Sequence, residues 1–252
     1  TSRDKDVAAW GTVLQTDPTD PDVLAITKAR TLPLLFWYCF GKFVLVFCRV
    51  AFRLQVTGME KLPRYGPYII APNHQTYLDA PILMSLLPWS IFRRQFSVGT
   101  SEIFGTGLVR RIASSFNLVP VDADANMVPA MKATAYGLRH GKILVIFPEG
   151  ERSIDGPPKK FKKGAAILGV NLNLPIYPVA LDGFYEAWPR GKRFQGFTCA
   201  KFAVGDPIYP PKDATSPEQA YEQMNTELKD RVMEMWMQIH EAKPESANAT
   251  AD

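Results

Sequence analysis

Tyr68-Ile69-Ile70-Ala71-Pro72-Asn73-His74-Gln75-Thr76-Tyr77-Leu78-Asp79 is the stretch on which the fold turns. Its first four residues are a short apolar run closed by proline, the pattern of a buried strand. An apolar helical pattern, Leu78–Leu87, follows, and a histidine and a carboxylate stand at the junction. The same alternation continues on both sides. Candidate strands are Arg53–Val56, Tyr68–Ala71, Gln95–Val98, Asn117–Val121, Ile143–Phe147, Ile176–Ala180 and Thr198–Val204. Helical patterns fill several gaps: Leu78–Leu87, Ser101–Ile112, Asn126–His140 and Lys163–Asn171. Such alternation predicts an α/β fold, a single domain with a mostly parallel central sheet flanked by helices. Tyr221, Met224, Leu228, Val232, Met235 and Ile239 recur at steps of three and four, which predicts a sheet-packing amphipathic helix over Pro217–His240.

With 252 residues the chain can bury one sizeable core, and 46% hydrophobic with 21% charged residues excludes both disorder and a many-helix membrane protein. A net charge of +4 suits anionic lipids or phosphorylated substrates and is too small for a nucleic-acid-binding signature. The three cysteines, Cys39, Cys48 and Cys199, form no CxxC pair, which favours a reducing compartment and argues against a zinc site. No signal peptide is visible in the first thirty positions, which are polar and read as an arm or linker with one apolar cluster, Trp10, Val13 and Leu14. Residues 31–53 form an apolar membrane-associating helical segment, 54–241 the main domain, and 242–252 a disordered tail.

Within the apolar segment no uncharged run reaches the roughly 18 residues that would make a spanning helix the default. Lys42, Arg49 and Arg53 share one helical face, while Trp37, Phe40, Phe43, Val44 and Phe47 cover much of the rest. An interfacial helix with snorkelling basic groups fits best, with a spanning helix and an ordinary core helix as the alternatives.

His140 and His240 stand at helix stops, where an imidazole serves the terminal carbonyls. His74 differs, because Asp79 five residues on can reach one ring nitrogen and leave the other free as a base. GxSxG is absent, which favours direct attack by a substrate hydroxyl over a covalent enzyme intermediate. A satisfied turn histidine is the competing reading. The second informative stretch is Ile143-Leu144-Val145-Ile146-Phe147-Pro148-Glu149-Gly150-Glu151-Arg152-Ser153, a buried strand running into a charged turn. Open α/β sheets place ligands at such strand ends. Glu149 can hold a substrate hydroxyl or the loop backbone, Gly150 allows close approach, and Arg152 can bind phosphate bidentately; a salt-bridged surface turn is the alternative.

Asn73–Asp79 and Phe147–Ser153, in this order and spacing, resemble the first and third sequence blocks of the PlsC-like glycerolipid acyltransferases. Phe161-Lys162-Lys163-Gly164 is similar to the segment after the third block, and Pro175-Ile176-Tyr177-Pro178-Val179 resembles the fourth. The resemblance covers about Leu54 to Pro210. It implies that His74 is the general base, that Asp79 orients it, and that an acceptor alkoxide attacks an acyl thioester. It also implies acceptor binding by Glu149, Gly150 and Arg152, with Asn73, Ser153 and Lys163 as further substrate-binding candidates. No metal and no cofactor are expected; acyl-CoA or acyl carrier protein is the co-substrate.

The chain departs from the family's second block, where Asn117-Leu118-Val119-Pro120-Val121-Asp122-Ala123 carries alanine in place of an arginine. With Glu151, that leaves the acceptor open between lysophosphatidate, a lysophospholipid and another alcohol, with Arg110, Arg111, Arg152 or Lys163 as substitutes for the missing cation. The resulting expectation is an O-acyltransferase on the cytoplasmic face of a membrane, with membrane lipids and an acyl carrier protein or a fused acyl-activating domain as partners. Ester or thioester hydrolysis at the same site and a catalytically silent lipid-binding domain are the alternatives.

Overall fold

The computed structural model describes residues 10–28, 31–100, 117–121 and 127–242. Among the described residues seven strands make one sheet: β1 Gln55–Thr57, β2 Tyr68–Pro72, β3 Gln95–Thr100, β4 Leu118–Val121, β5 Ile143–Val145, β6 Ile176–Asp182 and β7 Lys201–Val204. Their spatial order is β1-β7-β6-β2-β5-β3-β4. Every neighbouring pair is parallel except β6 and β7. β2 therefore lies in the middle, and all five of its residues are buried, as are those of β5 and β6. Strands covered on both faces need continuous apolar sequence, which is what these three supply.

Alternate residues feed two cores. Ile69, Ala71, Phe96, Leu144 and Ile176 face the helices Met127–Arg139, Gly164–Leu172 and Pro217–Glu241. Gly137 lets the first of these approach the sheet, since a Cβ there would stand 2.4 Å from the Phe96 ring. Tyr68, Ile70, Val145, Tyr177 and Val179 face the other side, which is covered by α1 (Thr31–Ala51) and α2 (Asp79–Leu86).

Three expectations change. The first concerns the polar arm. Residues 10–15 and Pro21–Leu24 are helical, and Leu14, Val23 and Ile26 are buried in the same core as Ile69 and Leu144. The few apolar side chains of this stretch collect on one side, so it docks despite its polar composition. The second concerns α1. Its inner face, with Leu34, Leu45 and Cys48, is buried, and Lys42 does not snorkel. The Lys42 Nζ donates to the carbonyls of Ser85 and Leu87 at 2.7 and 3.0 Å, filling acceptors at the C-terminal end of α2. The third concerns strand ends. β1 begins after Arg53, which has a φ of 45° and breaks the chain direction below α1. β5 stops at Val145, and β7 starts only at Lys201. The expected helix Ser101–Ile112, the residues Arg110, Arg111, Asp122 and Ala123, and positions 243–252 lie outside the described residues.

Candidate active site

Where the chain leaves β2, buried side-chain amides fix its path. Asn73 Oδ1 accepts from Leu181 N at 2.7 Å and its Nδ2 donates to Leu181 O at 3.0 Å, a two-pronged bracket to β6. Gln75 Nε2 donates to Gly156 O at 3.0 Å, and its Oε1 accepts from Phe184 N at 3.2 Å. His74, between them, is held rather than merely located. Its backbone N–H donates to Glu149 Oε1 at 2.8 Å, and its carbonyl accepts from Ser153 N at 2.7 Å. The two informative stretches of sequence are thus stitched together through main-chain groups.

The His74 Nδ1 lies 2.8 Å from Asp79 Oδ2. The same carboxylate oxygen accepts from Gln75 N at 2.5 Å and Thr76 N at 2.8 Å, and Oδ1 accepts from Thr76 Oγ1 at 3.1 Å. Asp79 is fully buried at the start of α2, with both carboxyl oxygens taken up by donors from residues 74–76. An ionised Asp79 only accepts, so the proton on this edge of the ring belongs to Nδ1 and Nε2 presents a lone pair. The ring stacks on Phe147 with centroids 4.1 Å apart and its side chain is 20% exposed. Among the described residues none hydrogen-bonds Nε2, and no serine or cysteine side chain is hydrogen-bonded to the imidazole.

Glu149 is 4% exposed and accepts from the backbone of both His74 and Lys159, the latter at 3.2 Å. Of its two sequence readings, this geometry is the second: it braces the loop. Burial pushes its carboxyl up to about 7, although the two backbone N–H groups work in the opposite direction. Gly150 has a φ of 75°, and a Cβ there would meet Lys162 Cε and Nζ at 2.7 Å. Glycine at this position therefore serves close approach, and the approaching group is a lysine. Arg152 spreads its guanidinium over the Tyr77 ring at 3.6 Å. Glu151 is turned to Arg190, at 2.8 Å, and Lys159, at 3.7 Å. The Arg190 hydrogen bond and these two cations hold its carboxyl below the usual range, so its charge is matched rather than aimed at an acceptor.

Three sequence candidates sit elsewhere in function than expected. Asn73 is fully buried with its amide spent on Leu181. Ser153 is fully buried, donating to Asp155 Oδ1 and Pro157 O while accepting from Gly156 N. Both shape the loops and neither offers a free polar atom to a substrate. Lys163 is not brought to the site, because its Nζ is 2.8 Å from Glu218 and 2.5 Å from Glu222 on the C-terminal helix. Its neighbour Lys162, in the same Phe161-Lys162-Lys163-Gly164 segment but not among the candidate binding residues, lies against Gly150 instead. Among the described residues no group of His, Cys, Asp and Glu converges as metal ligands would.

The model for the family described as Acyltransferase matches residues 53–182, more than half of the chain. The chain belongs to the acyltransferase family. Within it, this acyltransferase-family chain is 29% identical over 143 residues to "1-acyl-sn-glycerol-3-phosphate acyltransferase BAT2, chloroplastic" of Brassica napus, covering 56% of this chain and 40% of that protein. It is 26% identical over 151 residues to "1-acyl-sn-glycerol-3-phosphate acyltransferase alpha" of Homo sapiens, covering 58% and 52%. The chain thus spans about half the length of these relatives. A solved structure, that of the 1-acyl-sn-glycerophosphate acyltransferase PlsC from Thermotoga maritima, shares the fold with a TM-score of 0.64 at 24% identity, covering 80% of this chain and 79% of that one. The mostly parallel α/β architecture read from sequence is the architecture found.

Proposed function

We propose that this domain transfers a fatty acyl group from an acyl thioester to the free hydroxyl of a 1-acylglycerol-3-phosphate-like acceptor at a membrane surface. One observation carries the reading: an imidazole oriented by a buried carboxylate, with its Nε2 unclaimed among the described residues, beside a cationic loop. Nε2 takes the proton of the acceptor hydroxyl as its oxygen attacks the thioester carbonyl. The tetrahedral intermediate collapses by breaking the C–S bond. The imidazolium then returns its proton to the thiolate, so the products are the ester and the free thiol, and the base is regenerated.

Asp79 acts on the substrate only through His74, by fixing its tautomer and stabilising the imidazolium. Arg152 and Lys162 stand as the cations for an acceptor phosphate, in place of the arginine that the second block lacks at Ala123. The names of the relatives support a phosphate-bearing acceptor, and so does the occupation of Glu151 by Arg190 and Lys159. The donor is acyl-CoA or an acyl carrier protein.

α1 carries the membrane part of the reading. It is 21 residues long with a mean hydropathy of 1.7, long enough to cross a bilayer. Yet its inner face is tied to the domain from Leu34 through Lys42 to Cys48, and Phe36, Phe43 and Val50 are exposed on the outer face. A helix fastened to a folded domain at several points along one face lies on the interface instead of spanning it. The free thiols of Cys39, Cys48 and Cys199 suit the leaflet that faces a reducing compartment.

The test is thiol release from an acyl thioester with and without lysophosphatidate, alongside neutral lysolipids. Release that needs lysophosphatidate, with diacylated product by mass spectrometry, is expected. Release that ignores every acceptor overturns transfer in favour of hydrolysis.

A further inference from the structure

The segment 188–197, Trp-Pro-Arg-Gly-Lys-Arg-Phe-Gln-Gly-Phe, touches the candidate site only through Trp188 and Arg190, yet the whole of it is built rather than loose. Gln195 N donates to Ala187 O at 2.8 Å, Lys192 N to Pro189 O at 3.1 Å, and the Trp188 indole to Lys192 O at 3.1 Å. These bonds close a compact loop whose conformation is set by its own backbone and side chains. Out of it project Phe194 and Phe197, 43% and 53% exposed. Two aromatic rings kept in water by a hydrogen-bonded loop call for an apolar partner.

Position and charge identify that partner. Phe197 packs against Phe47 on α1, centroids 5.8 Å apart, and against Phe52 at 5.1 Å, while Phe194 adjoins Phe197 at 5.2 Å. The exposed rings of the loop are therefore continuous with the exposed apolar face of α1. Lys192 and Arg193 are exposed beside them, and among the described residues no carboxylate pairs with either. Aromatic rings next to unpaired cations match the depth profile of an anionic bilayer, rings at headgroup level and charges on the phosphates.

We propose that residues 188–197 form a second membrane contact, specific for anionic phospholipid, that works together with α1. The inference rests on the proposed membrane docking of α1. The loop is also joined to the candidate site. Arg190 donates to Glu151 Oε2 at 2.8 Å and to Arg152 O at 3.1 Å, and Trp188 meets Tyr77 with centroids 6.0 Å apart. Tyr77 in turn carries the Arg152 guanidinium. Membrane contact and acceptor loop are thus parts of one connected surface, so docking the loop sets the height of Arg152 and His74 above the lipid headgroups.

The test is co-sedimentation of the full chain with phosphatidylcholine vesicles with and without phosphatidylglycerol. Phe194→Ser is expected to weaken partitioning about tenfold. Lys192→Gln with Arg193→Gln is expected to remove the preference for phosphatidylglycerol and its salt dependence. Neither change should alter turnover of a short-chain acceptor dissolved as monomers, which excludes damage to the site. If both variants partition like the wild type while Phe43→Ser on α1 does not, the loop contact is overturned and docking through α1 stands. If the wild type itself ignores both vesicle types, the membrane reading falls and this inference with it.

Discussion

Among the described residues there are two histidine–aspartate pairs of different kinds. His74 and Asp79 are five residues apart, and the Asp79 side chain is fully buried while that of His74 is 20% exposed. His240 and Asp182 join the last turn of the C-terminal helix to the end of β6, with Nδ1 3.1 Å from Oδ2, and the His240 side chain is 50% exposed. The difference lies in what surrounds each carboxylate. Asp79 gathers two backbone amides and a hydroxyl besides the imidazole. Asp182 lies opposite Lys201 in the ladder, and Lys201 is spent on the carbonyls of Ile239 and Ala242 at the helix end. The His240 ring lies on Trp236, centroids 4.6 Å apart. One pair leaves a ring nitrogen without a hydrogen-bond partner among the described residues, beside a cationic loop, while the other fastens a helix. A histidine near an aspartate thus says little until the other bonds of the carboxylate are known.

The largest contrast is expected from amidating the two carboxylates. Asp79→Asn puts an amide NH2 or a weaker carbonyl against donors that need an anion. Turnover should fall by about 10²–10³-fold, and unfolding free energy by on the order of 2–3 kcal/mol. Asp182→Asn should leave turnover within about twofold and cost about 1 kcal/mol, since Asp182 is buried but its imidazole partner is half exposed. Steady-state kinetics and urea unfolding of both variants measure the contrast, and equal losses would erase it.

The brace behind His74 gives the next effect. Glu149 has its folded pKa raised from 4.5 to about 7 by burial. Its contribution to stability is therefore complete below pH 4.5 and is lost as pH rises through about 7, the reverse of an ordinary salt-bridged carboxylate. The loss across that window is on the order of 3 kcal/mol. Urea unfolding of Glu149→Gln along the same pH series should lack this component; an unchanged slope would locate the pH dependence elsewhere.

Gly150→Ala forces a positive φ on a side chain and crowds Lys162. It should cost about 1–2 kcal/mol in thermal or urea unfolding and raise the KM for the acceptor more than it lowers kcat. The smallest effect belongs to the adjacent lysines. Lys163→Ala breaks an exposed pairing with Glu218 and Glu222 and should change stability by under about 0.5 kcal/mol and the acceptor KM by under about twofold. Lys162→Ala should raise that KM by about fivefold or more, since hydrogen bonds to charged groups contribute roughly 1.5–3 kcal/mol. Equal behaviour of the two would remove Lys162 from the acceptor side.

Much of this was legible in the sequence, and the pattern of what was not has a physical basis. β2, β5 and β6 were readable because strands buried on both faces carry uninterrupted apolar runs. The His74–Asp79 contact was readable because it is local. The roles of Asn73 and Gln75 were not, since their partners lie 108 and 81 positions away, and between the two readings of Glu149 only a partner 75 positions away decides. A buried amide that braces a loop has the same one-letter code as one that binds a substrate. Lys162 and Lys163 are adjacent, and only the helix start at Gly164 decides which reaches Gly150 and which reaches Glu218. Lys42 looked like a snorkelling group because the carbonyls of Ser85 and Leu87 that claim it are invisible from its own helix. Leu14 was legible as part of an apolar cluster, while the docking of Val23 and Ile26 was hidden by the polar residues around them.

The central claim is that His74, and not the other paired histidine, takes the proton of the acceptor hydroxyl. The direct test is lysophosphatidate-dependent thiol release by His74→Ala and His240→Ala, each checked for unchanged circular dichroism. The account predicts a loss of about 10²–10⁴-fold for His74→Ala and less than about twofold for His240→Ala. Undiminished acceptor-dependent release by His74→Ala would contradict it.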